Sequence, residues 1–93
     1  MNVEIVEKDK KSIELRVSGE GHTLFSALRK ILFEDKDVSF AGYDVEHPVL
    51  GSTKFYLRVK GRRGVSTILA EAVGKLIKRA KELRHKFEES LIE

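Results

Sequence analysis

Apolar residues recur along the last third of the chain at steps of three and four, the spacing that lines side chains up on one face of an α-helix. Val65, Ile68, Leu69, Ala72, Val73, Leu76, Ile77, Ala80, Leu83, Phe87 and Leu91 carry the pattern, and no proline interrupts it. The spacing predicts one helix from Val65 to about Ile92. At about 1.5 Å per residue such a helix is a rod of roughly 42 Å, whereas a short strand of the same domain at about 3.3 Å per residue spans only roughly 23 Å. The helix is therefore expected to overhang its own domain. Its stripe also changes width: Ile68 with Leu69, Ala72 with Val73 and Leu76 with Ile77 form a broad arc, whereas Ala80, Leu83, Phe87 and Leu91 stand singly. A broad arc suits a helix lying on a sheet, and a narrow seam suits helix-on-helix packing. The first half is expected to cover the chain's own core and the second half to meet a partner.

Upstream the period changes to two. Val3 and Ile5 alternate with polar neighbours, and after the turn Lys8-Asp9-Lys10-Lys11 so do Ile13, Leu15 and Val17. This predicts a hairpin with one buried face. Gly19-Glu20-Gly21 releases the chain, and Thr23 is the expected N-cap of a helix running to about Glu34. In that helix Leu24, Phe25, Ala27, Leu28, Ile31 and Leu32 span an arc of roughly 160°, wider than the stripe of about 100° that one core requires. Phe33 lies outside it. The excess implies a second surface packed on this helix.

Val38, Phe40, Tyr43 and Val45 predict a third strand whose parity switches across Ala41-Gly42, so a bulge is expected at Gly42. His47-Pro48 ends it, and Val49 to Ser52 turn the chain. Phe55, Leu57 and Val59 mark the fourth strand, and Gly61-Arg62-Arg63-Gly64 leads into the long helix, with Ser66 or Thr67 as expected cap. The order is ββαββα. The fold class is α+β: one domain over residues 1–93, a four-stranded antiparallel sheet with two helices on one face and a long C-terminal helix.

Ninety-three residues suffice for one small domain. With no cysteine there is neither a disulfide framework nor a thiolate metal site. The apolar runs are too short for a membrane span or a signal-peptide core, and the protein is expected to be cytoplasmic. Charged residues make up 35% of the chain, glutamine is absent and asparagine occurs once. Scarce thermolabile side chains beside abundant Lys, Arg and Glu is the bias of proteins from hot environments.

The net charge of +3 invites a nucleic-acid reading, so its distribution decides. The long helix is nearly balanced between Lys or Arg and Glu, and Glu71 to Lys75 and Glu82 to Lys86 have the order that supports a solvated face. Only Lys8, Lys10, Lys11 and Lys60, Arg62, Arg63 cluster, each at a turn. Gly61-Arg62-Arg63-Gly64 matches a GXXG clamp in letters, but that clamp lies between two helices and this one between a strand and a helix. A flexible basic turn is the expectation. His22, His47 and His85 lack partners at metal-ligand spacing, and no nucleophile or paired carboxylates accompany them. No catalytic residue, metal site or cofactor is implied.

His22-Thr23-Leu24, the helix through Leu28 and Leu32, and Phe40-Ala41-Gly42-Tyr43 with Val45 and His47-Pro48 together resemble the small alpha-like subunit of archaeal and eukaryotic RNA polymerases, called L in archaea. The family's usual Asp before His-Thr-Leu and Gly-Asn after it are replaced here by Gly21 and Phe25-Ser26. The resemblance implies a domain similar to the amino-terminal dimerisation domain of the bacterial alpha subunit. It also implies a non-catalytic role: pairing with a larger alpha-like polymerase chain, named D in archaea, as the platform on which the catalytic subunits assemble. Carried over residue by residue, the interface falls on Leu24, Phe25, Leu28, Ile31 and Leu32, and on Leu76, Ala80, Leu83, Phe87 and Leu91. Which of these face the chain's own sheet and which face the partner is left open by the sequence. The alternative function is a small basic nucleic-acid-binding protein using Arg62, Arg63 and the lysine turn, for which steep salt dependence is expected.

Overall fold

Both periodicities fold as they read. The computed structural model describes residues 2–19, 21–47 and 51–92, with the His47 side chain left out. In chain order the elements are β1 (Asn2–Lys8), β2 (Ser12–Ser18), α1 (His22–Phe33), β3 (Val38–His47), β4 (Ser52–Val59) and α2 (Val65–Leu91). The strands form one antiparallel sheet in the order β1-β2-β4-β3. Glu20 and Pro48 to Leu50, and with them the expected end of β3 at Pro48, lie outside the described residues.

Register explains which side chains share a face. Ile13 stands opposite Leu57, Leu15 opposite Phe55 and Val17 opposite Thr53, while β3 sets Ala41 against Leu57 and Tyr43 against Phe55. These residues look toward the helices. Phe55, Leu57, Leu32, Val65 and Ile68 are the large apolar side chains at the centre of the core. Helix α1 packs on β3 and helix α2 on β4, and the two helices pack on each other. The opposite sheet face is polar and carries ion pairs from Arg16 to Glu46 and from Lys54 to Glu14.

Four local expectations are corrected. No bulge occurs at Gly42; the register shifts lie between Val38 and Phe40 and between Val45 and His47. The first shift lets Val38 and Ala41 both point inward and turns Phe40 to the polar face, half-exposed. Thr23 does not cap α1, which begins at His22 with Gly21 as its cap. Ser66 and Thr67 do not cap α2 either: Gly64 holds that position, and the Val65 amide donates to the Lys10 carbonyl at 2.9 Å. Finally, β1 pairs with β2 as a hairpin but has no buried face, all seven of its residues being exposed. Val3 and Ile5 sit opposite Val17 and Leu15 on the helix side of the sheet, yet no helix covers them, leaving them 60% and 59% exposed.

Candidate partner interface

The two motifs far apart in sequence meet in space. Helix α1 brings His22 beside β3, where Tyr43 Oη lies 2.5 Å from His22 Nδ1. One turn later Phe25 packs between Tyr43 and Phe55, with ring centroids 6.1 and 5.5 Å away. Arg29 Nε donates to the Ala41 carbonyl at 2.9 Å, and its guanidinium lies over the Phe33 ring. On the other side of β3 the Phe40 ring lies over Gly42, where a Cβ would stand 3.0 Å from the ring edge. His22, Ala41 and Tyr43 therefore tie α1 to the sheet, while Phe40 and Gly42 pack on each other on the opposite face of β3. Thr23 is exposed in the first turn, and Pro48 lies outside the described residues.

The basic turn is tied down at Arg63, a restraint that the sequence reading of a flexible turn does not contain. Arg63 donates to Asp35 at 2.7 Å, Asp37 at 3.0 Å and Glu71 at 2.6 Å, tying the loop after α1 to the first turns of α2. Lys11 donates to the Gly61 and Arg63 carbonyls from the far side. The Arg63 hydrogen bond, seconded by the Asp37 amide, holds the Asp35 carboxyl below the usual carboxylate range, and the same carboxylates raise the Arg63 guanidinium. A guanidinium saturated by three carboxylates offers little to a phosphate. Glu71 thus serves Arg63, and along the distal helix Arg84 pairs with Glu88 while His85 Nε2 lies 2.9 Å from Glu89 Oε1. Arg79 grips Glu34 at the end of α1 through both carboxylate oxygens, at 2.6 and 3.0 Å, which lowers the Glu34 carboxyl.

The candidate interface residues divide into two groups that the sequence could not separate. Phe25, Leu28, Ile31 and Leu32 are buried in the chain's own core, so the first helix spends its widest apolar arc within the chain. Leu24 is half-buried, and Leu76 packs against the edge of the core. From Ile77 onward α2 leaves the domain, its last tie being Arg79 to Glu34. Ala80 is exposed, and Leu83, Phe87 and Leu91 stand 59%, 60% and 80% exposed. Val73, Ile77 and Phe33 are also exposed apolar residues, as are Val3 and Ile5 on β1. Val73 and Ile77 were visible in the helical stripe. Val3 and Ile5 were not, because strand alternation reads the same whichever chain covers it.

Among the described residues no group of three or more His, Asp or Glu comes together as a metal site, and no helix is long and apolar enough to cross a membrane. What the surface offers instead is apolar area. An exposed apolar surface of this extent on a small domain marks a site of protein association.

Comparison with known proteins agrees with that character. The family model described as the RNA polymerase Rpb3/Rpb11 dimerisation domain matches residues 12–86. The DNA-directed RNA polymerase subunit Rpo11 of Thermococcus onnurineus is 35% identical, with 98% of each chain covered. The protein of that name from Thermococcus sibiricus is 38% identical over 89% of this chain and 90% of its own. Among solved structures, the DNA-directed RNA polymerase subunit L from Thermoplasma acidophilum superposes with a TM-score of 0.79 at 28% identity, covering 96% of this chain and 87% of its own. With this fold, an apolar helix standing free of it and a match over most of its length, the chain belongs to the RNA polymerase Rpb3/Rpb11 dimerisation-domain family.

Proposed function

We propose that this chain is the small alpha-like subunit, L or Rpo11 in type, of an archaeal DNA-directed RNA polymerase. In this reading it pairs in the cytoplasm with the larger alpha-like polymerase chain, D, and the pair is the platform on which the two catalytic subunits assemble. Its contribution is non-catalytic binding.

The observation that carries the reading is the distal half of α2, where Ala80, Leu83, Phe87 and Leu91 form one apolar seam beyond the reach of the chain's own sheet. A helix half that buries nothing within its own chain gains stability chiefly when a second chain packs on it. At about 25 cal/mol per Å² of apolar area the gross gain is large, although ordering and association costs cancel much of it. The core-facing half of the same helix fixes the seam's direction through Val65, Ile68 and Ala72. No catalytic side chain is assigned to the chain; its role in transcription is assembly. The nucleic-acid reading loses its main residue, since Arg63 is held by Asp35, Asp37 and Glu71.

Reconstitution from separated subunits tests the platform role. Omitting this chain should prevent D from entering a complex with the two large subunits, and full assembly without it would refute the proposal.

A further inference from the structure

Both edge strands of the sheet are bulged, and each bulge turns a side chain onto the face away from the helices. In β1 the shift between Ile5 and Glu7 sets Glu7 opposite Glu14, whereas an unbroken register would place Val6 there and send Glu7 to the helix side. In β3 the shift between Val38 and Phe40 sets Phe40 opposite Arg58, where Ser39 would otherwise stand. The two re-aimed residues come together in one row. Glu7 pairs with Glu14, Glu14 with Tyr56 and Tyr56 with Gly42, and the Phe40 ring covers Gly42. Three strand steps of about 4.8 Å make the row roughly 14 Å long. Glu7, Glu14, Tyr56 and Phe40 line one recess of about 420 Å³, with carboxylates at its β1 end and rings toward β3.

Neither end of the row serves the chain itself. Glu7 and Glu14 are like charges placed directly opposite each other, which destabilises a strand pair. Among the described residues Glu7 has no ion pair or hydrogen bond, and Glu14 makes one ion pair, to Lys54 at 4.0 Å, which also serves Glu46 at 3.8 Å. Arg58 borders the recess in the next row, between Ser12 and Phe40, and pairs with neither glutamate. Phe40 forgoes the burial that an inward register would give it and stays half-exposed. Two opposed carboxylates beside two rings match a guanidinium, whose fork bonds the carboxylates while its stem lies along the rings. The same carboxylates repel a phosphate backbone, so the matching partner is protein and not nucleic acid. In an extended segment the next residue on the same face stands about 6.6 Å from the arginine, which brings an apolar side chain onto Phe40.

We propose that this outer recess of the sheet docks an extended protein segment carrying arginine, with the guanidinium between Glu7 and Glu14 and an apolar residue two positions away on Phe40. The recess lies on the sheet face opposite both helices, so the site is separate from the pairing surface of α2 and stays open when that surface is occupied.

Amide-correlation NMR of the full chain, titrated to millimolar concentration with the acetylated and amidated tripeptide Arg-Gly-Leu, tests the proposal. Saturable shifts should centre on Glu7, Glu14, Phe40 and Tyr56. The citrulline analogue, which keeps the shape and loses the charge, should give none. Glu7→Gln and Glu14→Gln should each weaken binding about tenfold, the loss expected for one hydrogen bond between charged groups. Phe40→Ala should erase the preference for Arg-Gly-Leu over Arg-Gly-Gly. Glu7→Gln should also raise the urea midpoint of the free chain, because it removes the like-charge opposition, whereas a glutamate retained for the fold would lower it. Absence of saturable shifts in the recess, equal binding of the citrulline peptide, the same shifts from magnesium chloride at equal concentration, or a urea midpoint that stays or falls in E7Q would overturn the proposal.

Discussion

Arg63 Nη2 lies 2.7 Å from Asp35 Oδ1, closing the loop between α1 and β3 against the start of α2. Asp37 at 3.0 Å and Glu71 at 2.6 Å complete the cluster, so one guanidinium ties the loop before α2 to the loop after α1 and to the second turn of α2. The direction in which α2 leaves the domain depends on this clamp as well as on Val65 and Ile68 beneath it.

Arg63→Gln is expected to lower stability toward urea at neutral pH, and the deficit should depend on acidity with a definite sign. The folded Asp35 carboxyl is held below its unfolded value, chiefly by the Arg63 hydrogen bond. Its contribution is present above the unfolded carboxylate range and is lost as the pH falls through the folded value. Urea midpoints of wild type and variant should therefore converge as the pH is taken from neutral into the acid range below the ordinary carboxylate values. A gap that stays constant or widens on acidification would contradict the assignment.

Gly61→Ala should destabilise the same corner. Gly61 sits at φ of 87°, and a Cβ there would lie 3.1 Å from the Asp37 carboxyl that Arg63 uses. The backbone conformation alone costs an L-residue about 1–2 kcal/mol, which thermal unfolding would register as a drop of several degrees for a domain of this size.

Phe55→Ala is the test of the core. Phe55 is fully buried, stacks on Phe25 and faces Leu15 and Tyr43 across the sheet. Truncating a buried Phe costs about 3–5 kcal/mol, much of what a small domain possesses. Urea or thermal unfolding of the variant should show most of the stability gone.

Much of the fold was legible because each element carries a clean period: β2 and β4 alternate over a buried face, and α2 keeps its three- and four-residue spacing for its whole length. What escaped depends on residues far away. Thr23, Ser66 and Thr67 are chemically good caps, but the Lys10 carbonyl receives the Val65 amide and glycines occupy the cap positions. A bulge near Phe40 rather than at Gly42 turns on which residue goes inward, and here Ala41 does, with Phe40 lying over the bare Gly42. Arg63 read as one more basic residue because Asp35, Asp37 and Glu71 are distant in sequence. The interface set mixed buried and exposed residues for a related reason: Leu28 and Leu83 obey the same helical period, and only the packed chain shows that one is covered and the other is not.

Leu83 and Phe87 replaced together by Ala should separate pairing from folding. Both are exposed, and Ala favours helix, so the unfolding free energy should change by no more than about 0.5 kcal/mol. Affinity for D should fall at least tenfold, about 1.4 kcal/mol. Titration calorimetry beside urea unfolding checks both numbers, and unchanged affinity would move the interface off the distal helix.

The most direct measurement is the size of the species obtained when this chain is co-expressed with the larger alpha-like chain, D, and purified at moderate and at high salt. The account predicts a one-to-one complex that survives high salt, because its contacts are apolar rather than ionic. A chain that elutes without D, and instead carries DNA that salt strips away, would contradict it.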